Sequence, residues 1–206
     1  MQDLQMPKVT EAHRQARRKQ ILTAAFTCFG RDGFHGTTMK DICEEADLSP
    51  GAVYNYFGGK ADIIRAIAAE SRDSLDILFD SVDEGQPVPQ MLSDLIQRLG
   101  AFVKQPGDAE EGGHRVRVRL WGEALNTSDV RKPFRENLDD FTRRVAGIIR
   151  KGQDDGTIRA DVDAEALARA LMALHQGMVL QKAISPKASV TPVFEAMSSL
   201  IRDAAS

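Results

Sequence analysis

The sequence predicts an all-α protein of about nine helices: an N-terminal three-helix unit of helix-turn-helix type, followed by a larger helical domain. Three observations point to the fold. Apolar residues recur at helical spacing along most of the chain, and no alternating strand pattern occurs. Ser, Thr and Asp stand where these helices would begin, and Gly or Pro where they would stop. Two short helical segments near the N-terminus are separated by only Asp47-Leu48-Ser49, the spacing of a helix-turn-helix.

In chain order, Ile21, Leu22, Ala25, Phe26 and Phe29 mark the first helix, and Gly30 and Gly33 its end. Thr37 or Thr38 caps the second, Met39 to Ala46, with Asp41 in its first turn. Ser49 caps the third and Pro50 opens it, because proline at the first helical position loses no needed N–H. That helix ends at Tyr56 or Phe57, before Gly58-Gly59, and Lys60 opens a long helix running toward Val82. Met91, Leu92, Leu95, Ile96, Leu99 and Phe102 form the next stripe, and Gln105 to Gly113 reads as a polar loop. His114 to Asn126, Val130 to Gln153, Asp163 to Ile184 and Thr191 to Ala204 complete the set. The expected division is residues 1–60, with the motif over 38–57, and residues 61–206, the Lys60 helix packing on both parts.

Composition narrows the function. With 206 residues, 42 % hydrophobic and 28 % charged, the chain fits one or two globular domains, not a disordered polymer. No run reaches about 18 apolar residues, so no membrane contact is expected. The polar stretch Met1 to Gln20 lacks a secretory leader's apolar core. Cys28 and Cys43 form neither a CxxC pair nor a disulfide framework, which points to a reducing cytoplasm. Cys43 is expected on a buried face and Cys28 at the edge of the first helix, both inert. No metal spacing, Gly-rich phosphate loop or nucleophile–base pairing is present, so neither cofactor nor catalysis is expected. The net charge of −3 hides a basic arm: Lys8 to Gln20 holds five bases (Lys8, Arg14, Arg17, Arg18, Lys19) against one acid. Such an arm on an acidic body suits a module for double-stranded DNA, the alternative being a frayed basic tail.

The third helix carries the chemistry. Pro50 to Phe57 contains no carboxylate to repel DNA. Gly51 and Ala52 let the backbone approach closely, and Tyr54, Asn55 and Tyr56 offer hydroxyls and an amide to phosphates or base edges. Helix N-termini near Thr38, with Lys40 beside it, near Ser49 and near Lys60 can each receive a phosphate.

These residues carry a family resemblance. Arg17 to Leu78 resembles the DNA-binding part of TetR-type (TetR/AcrR) transcriptional regulators, through Ile21-Leu22-x-x-Ala25-x-x-x-x-Phe29, then Gly33-Phe34-x-x-Thr37-Thr38-Met39-x-x-Ile42. Ala46-Asp47-Leu48-Ser49-Pro50-Gly51-Ala52-Val53-Tyr54-x-x-Phe57 and Lys60 follow in order. The resemblance implies phosphate contacts at Thr37, Thr38 and Lys60, and reading positions at Ser49, Gly51, Ala52 and Tyr54. Asn55-Tyr56 departs from the family's frequent aromatic-then-His, which leaves the base preference at Asn55 open.

The second part resembles a common sub-type more loosely, through Leu120-Trp121-Gly122-Glu123-Ala124-Leu125, Gly152-Gln153-x-x-Gly156 and Leu167 through Gln181. The resemblance implies a homodimer and an effector cavity, with no ligand identified. The stripe Leu167, Leu171, Leu174 and Met178, together with Phe194, Met197 and Ile201 on the last helix, is the expected dimer interface. The alternative is that both stripes face the subunit's own core. Candidate cavity residues are Met91, Leu95, Phe102, Trp121, Leu125, Phe134, Phe141, Met172, His175 and Met178, which suggest a hydrophobic or aromatic small molecule. Each has plain core as its alternative, and His175 a satisfied interior position. Arg117, Arg119 and Glu123 would orient a ligand, or pair on the surface as Arg119–Glu123. The expected function is a homodimeric repressor released from a palindromic operator by its effector. The rivals are an activator, an enzyme in the helical cavity, and a helix-turn-helix module that no longer reads sequence.

Overall fold

The computed structural model describes residues 10–104 and 113–203. Lys8 of the basic arm, Ala204 and the expected loop up to residue 112 lie outside the described residues. Among the described residues there are nine helices and no strand: α1 Glu11–Gly36, α2 Met39–Glu45, α3 Pro50–Tyr54, α4 Lys60–Asp80, α5 Val88–Lys104, α6 Gly113–Asn126, α7 Ser128–Asp154, α8 Ala164–Ile184 and α9 Thr191–Asp203.

The starts of the helices follow local chemistry. The Thr10 hydroxyl accepts from the His13 N–H at 3.3 Å. Thr38 and Asp41 form a reciprocal capping box, the Asp41 N–H donating to Thr38 Oγ1 at 3.2 Å and the Thr38 N–H to Asp41 Oδ2 at 2.7 Å. Ser49 accepts from the Ala52 N–H at 3.3 Å, with Pro50 first in α3. Asp163 caps α8 through the Glu165 and Ala166 N–H groups. Gly33 breaks α1 with φ 75°, a value that favours glycine, and the chain turns there toward α2. Asp47 holds φ 51° in the turn between α2 and α3, a conformation that Asp tolerates better than most residues.

Two clusters of buried residues form the interior. The N-terminal one joins Ile21, Leu22, Ala25 and Phe29 of α1 to Ile42, Val53, Phe57 and the first turns of α4 (Ile63, Ile64, Ile67). It also takes in Val116, Leu120 and Ala124 from α6 and Val130 from α7. The C-terminal one joins Leu78 of α4 to Leu92, Leu95, Ile96, Phe141, Val145, Ile149, Leu171 and Phe194. Thus α4 contributes to both clusters, α5 packs on α9, α7 on α8, and α1 on α6. A Cβ on Gly30 would stand 2.6 Å from Val116 Cγ2, so this glycine lets α1 and α6 touch.

Candidate nucleic-acid interface and effector domain

The third helix stops at Tyr54, earlier than expected; it and the turn after it bury Val53 and Phe57 and leave Pro50, Gly51, Tyr54 and Asn55 exposed, with Ala52 half-buried. This outward stripe carries no acid, and Tyr54 is 53 % exposed. Ser49 is exposed at the helix start, and its O–H proton remains to donate while its oxygen caps Ala52. Tyr56 is half-buried and packs on the N-terminal cluster, leaving less of it to reach outward than Tyr54.

The second helix presents a different face. Thr38 is exposed, but its hydroxyl donates to Asp41 Oδ2 at 2.8 Å. The Thr38 N–H and then its hydroxyl hold the Asp41 carboxyl below the usual carboxylate range. A negative charge therefore already occupies the helix start that a phosphate would seek. Lys40 is exposed and 3.5 Å from Glu44, a surface pair of small energy. Thr37 departs from the expectation: it is fully buried, and its hydroxyl donates to the Gly33 carbonyl at 2.7 Å. With no surface it has nothing to offer a phosphate; of the two threonines the second caps the helix and the first closes the turn.

Lys60 is also placed differently. Its Nζ donates to the Phe34 carbonyl at 2.8 Å and the Thr37 carbonyl at 2.6 Å, and stands 4.6 Å from the Phe34 ring centroid. An ammonium has three donors, so one remains. Arg17 is half-buried and donates to Gln20 Oε1 at 2.8 Å, while Gln20 donates to the Ala46 carbonyl at 2.7 Å. Arg18 lies 5.7 Å over the Phe57 ring and 3.4 Å from Glu70. Arg14 is exposed.

In the C-terminal domain the ten expected cavity residues do not surround one space. Leu95 and Phe141 are fully buried core, and Met178 is nearly so. Leu125 is 75 % exposed at the end of α6, and Phe134 packs on the N-terminal cluster instead. Only Met91 lines the open groove of about 750 Å³ between α4, α5 and α7, whose other walls include Phe79, Val82, Arg144, Gly147, Ile148 and Lys151. Phe102, Trp121 and Met172 are half-buried on the C-terminal cluster. His175 faces the Leu99 carbonyl, and its Nδ1 is sealed without a partner. Burial first, then Arg117, pushes its pKa down to about 4.

The expected dimer stripe lies largely inside the subunit. Leu171, Met178, Phe194 and Ile201 are buried within the subunit, and Leu167, Leu174 and Met197 are half-buried. The exposed apolar surface is instead Ala166, Ala170, Ala173, Leu180 and Ile184 of α8, with Leu200 of α9 at 64 % exposure. The reason is that α8 is apolar on both sides, so periodicity does not say which side faces inward. Cys28 lies in the core rather than at an edge, and burial pushes both thiols up.

One linkage escaped sequence reasoning. Arg119 of α6 donates to the Phe29 carbonyl at 3.0 Å and to the Gly30 carbonyl, just before the break at Gly33. Glu123 is buried rather than paired with Arg119; it accepts from the Thr127 hydroxyl at 2.5 Å and lies 3.5 Å from His35. The only sequence signal for this α1–α6 grip is a glycine, Gly30, inside a helical stretch.

The pattern of bacterial regulatory proteins of the tetR family matches residues 21–67, and that of the BetI-type transcriptional repressor C-terminal domain matches residues 95–205, more than half of the chain. The chain belongs to the TetR family. Among the family's members, it is 29 % identical over 173 residues to the HTH-type transcriptional regulator YfiR of Bacillus subtilis, spanning 84 % of this chain and 83 % of YfiR. It superposes on Salmonella enterica GusR with TM-score 0.76 at 26 % identity, over 96 % of this chain and 98 % of GusR. FadR from Bacillus subtilis, solved in complex with stearoyl-CoA, shares the fold with TM-score 0.72 at 17 % identity, over 90 % and 98 % of the two chains. This protein is thus a DNA-binding transcriptional regulator of the TetR family, with α2 and α3 as its helix-turn-helix. No helix among the described residues is long and apolar enough to cross a membrane.

Proposed function

We propose that this TetR-family regulator acts in the cytoplasm as a homodimeric repressor, released from a palindromic operator by a small hydrophobic or aromatic effector. The observation that carries the reading is the outward stripe of α3, Pro50, Gly51, Tyr54 and Asn55: it is free of acids and stands beside the exposed Ser49 cap. Ser49 and Tyr54 supply hydroxyls, Asn55 an amide, and Gly51 a close backbone approach. Lys40 and the third donor of Lys60 flank the stripe for phosphate contact, with Arg14 and Arg17 on the neighbouring helix. The exposed apolar face of α8 and Leu200 supports pairing with a second copy. A dimer sets two recognition helices about 34–36 Å apart, one turn of DNA. Effector release needs a ligand that favours the off-DNA conformation; equal binding to both shifts nothing. The α1–α6 grip through Arg119 and Gly30 supports transmission from the C-terminal domain to the reading unit, alongside α4. FadR's complex with stearoyl-CoA supports a ligand of apolar character for this fold.

The test is selection of genomic fragments by the purified protein at physiological salt, with and without cell extract. Enrichment of a palindrome, lost on adding extract, is the expected result. Equal recovery of random DNA overturns the reading in favour of a non-specific module.

A further inference from the structure

The stretch Pro50 to Phe57 carries no charge of either sign. A surface that grips phosphate needs cations, and the cations that flank this stretch in the chain, Lys40 and Lys60, belong to α2 and α4. A neutral exposed face between them suits base edges, which are read by hydrogen bonds and close contact rather than by charge.

Asn55 is the polar group of that face with the most to offer. It is exposed, and its amide has no hydrogen-bond partner among the described residues. The other asparagines engage theirs inside the subunit: Asn126 Nδ2 donates to the Gly122 carbonyl at 3.2 Å, and Asn137 Nδ2 to the Ala68 carbonyl at 3.1 Å. Ser49 already gives its oxygen to the Ala52 N–H, and Tyr54 has a single hydroxyl. On this stripe Asn55 is the side chain that holds a donor and an acceptor side by side.

The backbone sets where that pair goes. Asn55 keeps helical angles, φ −67° and ψ −19°, and its N–H donates to the Gly51 carbonyl at 3.2 Å. A helical Cα–Cβ bond tilts toward the N-terminus, so the side chain leans over the turn that Gly51 opens. Gly51 has no side chain, and a Cβ there would meet nothing within 4 Å. The amide thus borders open space at the first turn of α3, the end of a recognition helix that meets base edges.

We propose that Asn55 fixes one adenine in each half of the operator: Oδ1 accepts from the adenine 6-amino group and Nδ2 donates to N7 in the major groove. This rests on the operator reading above and adds the base that is read. Guanine would set its O6 lone pairs against Oδ1, cytosine offers only a donor, and thymine only an acceptor. A phosphate also only accepts, and would leave Oδ1 facing an anion.

The experiment is selection from randomised duplexes by the full-length protein at physiological salt, unaltered and as Asn55→Ala. The unaltered protein is expected to enrich a palindrome with an invariant adenine at one position of each half. Asn55→Ala is expected to enrich the same palindrome with that position degenerate. Replacing the adenine by 7-deazaadenine, which lacks the N7 acceptor, is expected to weaken the unaltered protein about tenfold and to leave Asn55→Ala unchanged. Should Asn55→Ala fail to fold, the modified duplex with the unaltered protein decides alone. Asn55→Ala that keeps every position invariant while binding more weakly throughout would put the amide on a phosphate and overturn the assignment. So would 7-deazaadenine bound as tightly as adenine. A palindrome without an invariant adenine overturns the assignment and leaves the operator reading standing, whereas no palindrome from the unaltered protein overturns both.

Discussion

Around α2 and α3 the backbone is held by contacts three or four residues apart: Thr38 with Asp41, Ser49 with Ala52, and the Gly58 N–H with Asp62 Oδ2 at 2.8 Å. Around α8 the partners are α5, α6 and α7, all distant in the chain. The reading unit is thus specified by caps and turns, the effector domain by which helix faces meet. Caps fix where a helix starts; only packing fixes which way it faces. The two regions share α4 and α6, so they differ in how they are encoded without being separate in stability.

The largest expected effect tests that last point. Phe141 is fully buried in the C-terminal cluster, 5.8 Å from the Phe79 ring, and Phe29 is its counterpart in the N-terminal cluster. Phe141→Ala and Phe29→Ala are each expected to cost about 3–5 kcal/mol in urea denaturation. Because α4 places Ile63, Ile64 and Ile67 in one cluster and Leu78 in the other, both variants are expected to unfold in a single transition. Two separated transitions would break the comparison into two independent domains.

The next effect is confined to the effector domain. The folded-state pKa of His175 falls from 6.5 to about 4, and burial lowers His114 as well. The unfolded chain therefore takes up protons that the folded chain refuses. The stability these neutral histidines lend is complete above the ordinary histidine range and is lost as the pH falls from about 6.5 toward 4; for His175 it is on the order of 3 kcal/mol. Asp41 in the reading unit loses its contribution only below the ordinary carboxylate range, because its carboxyl is held down by Thr38. Urea midpoints measured between neutral pH and pH 4.5 check this. The slope is expected to flatten in His175→Leu and to persist in Asp41→Asn.

Legibility in the sequence divides along the same line. Ser49-Pro50, Thr38 with Asp41, and Gly33 announce helix limits through the N–H groups and φ values that they supply. The all-α class and the motif follow from them, and the recognition stripe follows from α3's spacing. Thr37 looked equivalent to Thr38 because a threonine before a helix reads the same whether it caps or turns inward. On α8, small and apolar residues line both faces, so Leu171 and Leu180 look alike until packing buries one of them. The Arg119 contact with Phe29 bridges ninety positions and leaves no local trace.

A smaller, functional effect is expected at Tyr54. Because Tyr54 is 53 % exposed, Tyr54→Ala is expected to change stability by less than about 0.5 kcal/mol. Operator affinity is expected to fall about tenfold to a hundredfold in a gel shift, in proportion to one lost base or phosphate contact. Unchanged affinity would move the reading positions toward Ser49 and Asn55.

Lys60 offers the finest test, because it stands where the two kinds of encoding meet. Its neighbours Gly59 and Asp62 set the start of α4 locally, yet its ammonium reaches back to carbonyls of Phe34 and Thr37, more than twenty positions away. Two of its three donors are spent there, and its charge rests on the Phe34 ring. Lys60→Met keeps the stem and removes the donors, leaving both carbonyls short of a partner, so a loss of about 1–2 kcal/mol is expected in thermal or urea unfolding. If the strut is its main role, the slope of log affinity against log salt stays as in the unaltered protein. If the third donor grips a phosphate, the slope shrinks by about 0.9, because one counterion fewer is released. Stability and salt slope thus separate the two roles in one variant: a stable protein with a reduced slope would make Lys60 a DNA contact first, and a destabilised one with an unchanged slope would make it the clasp that holds α2 and α3 in position on α4.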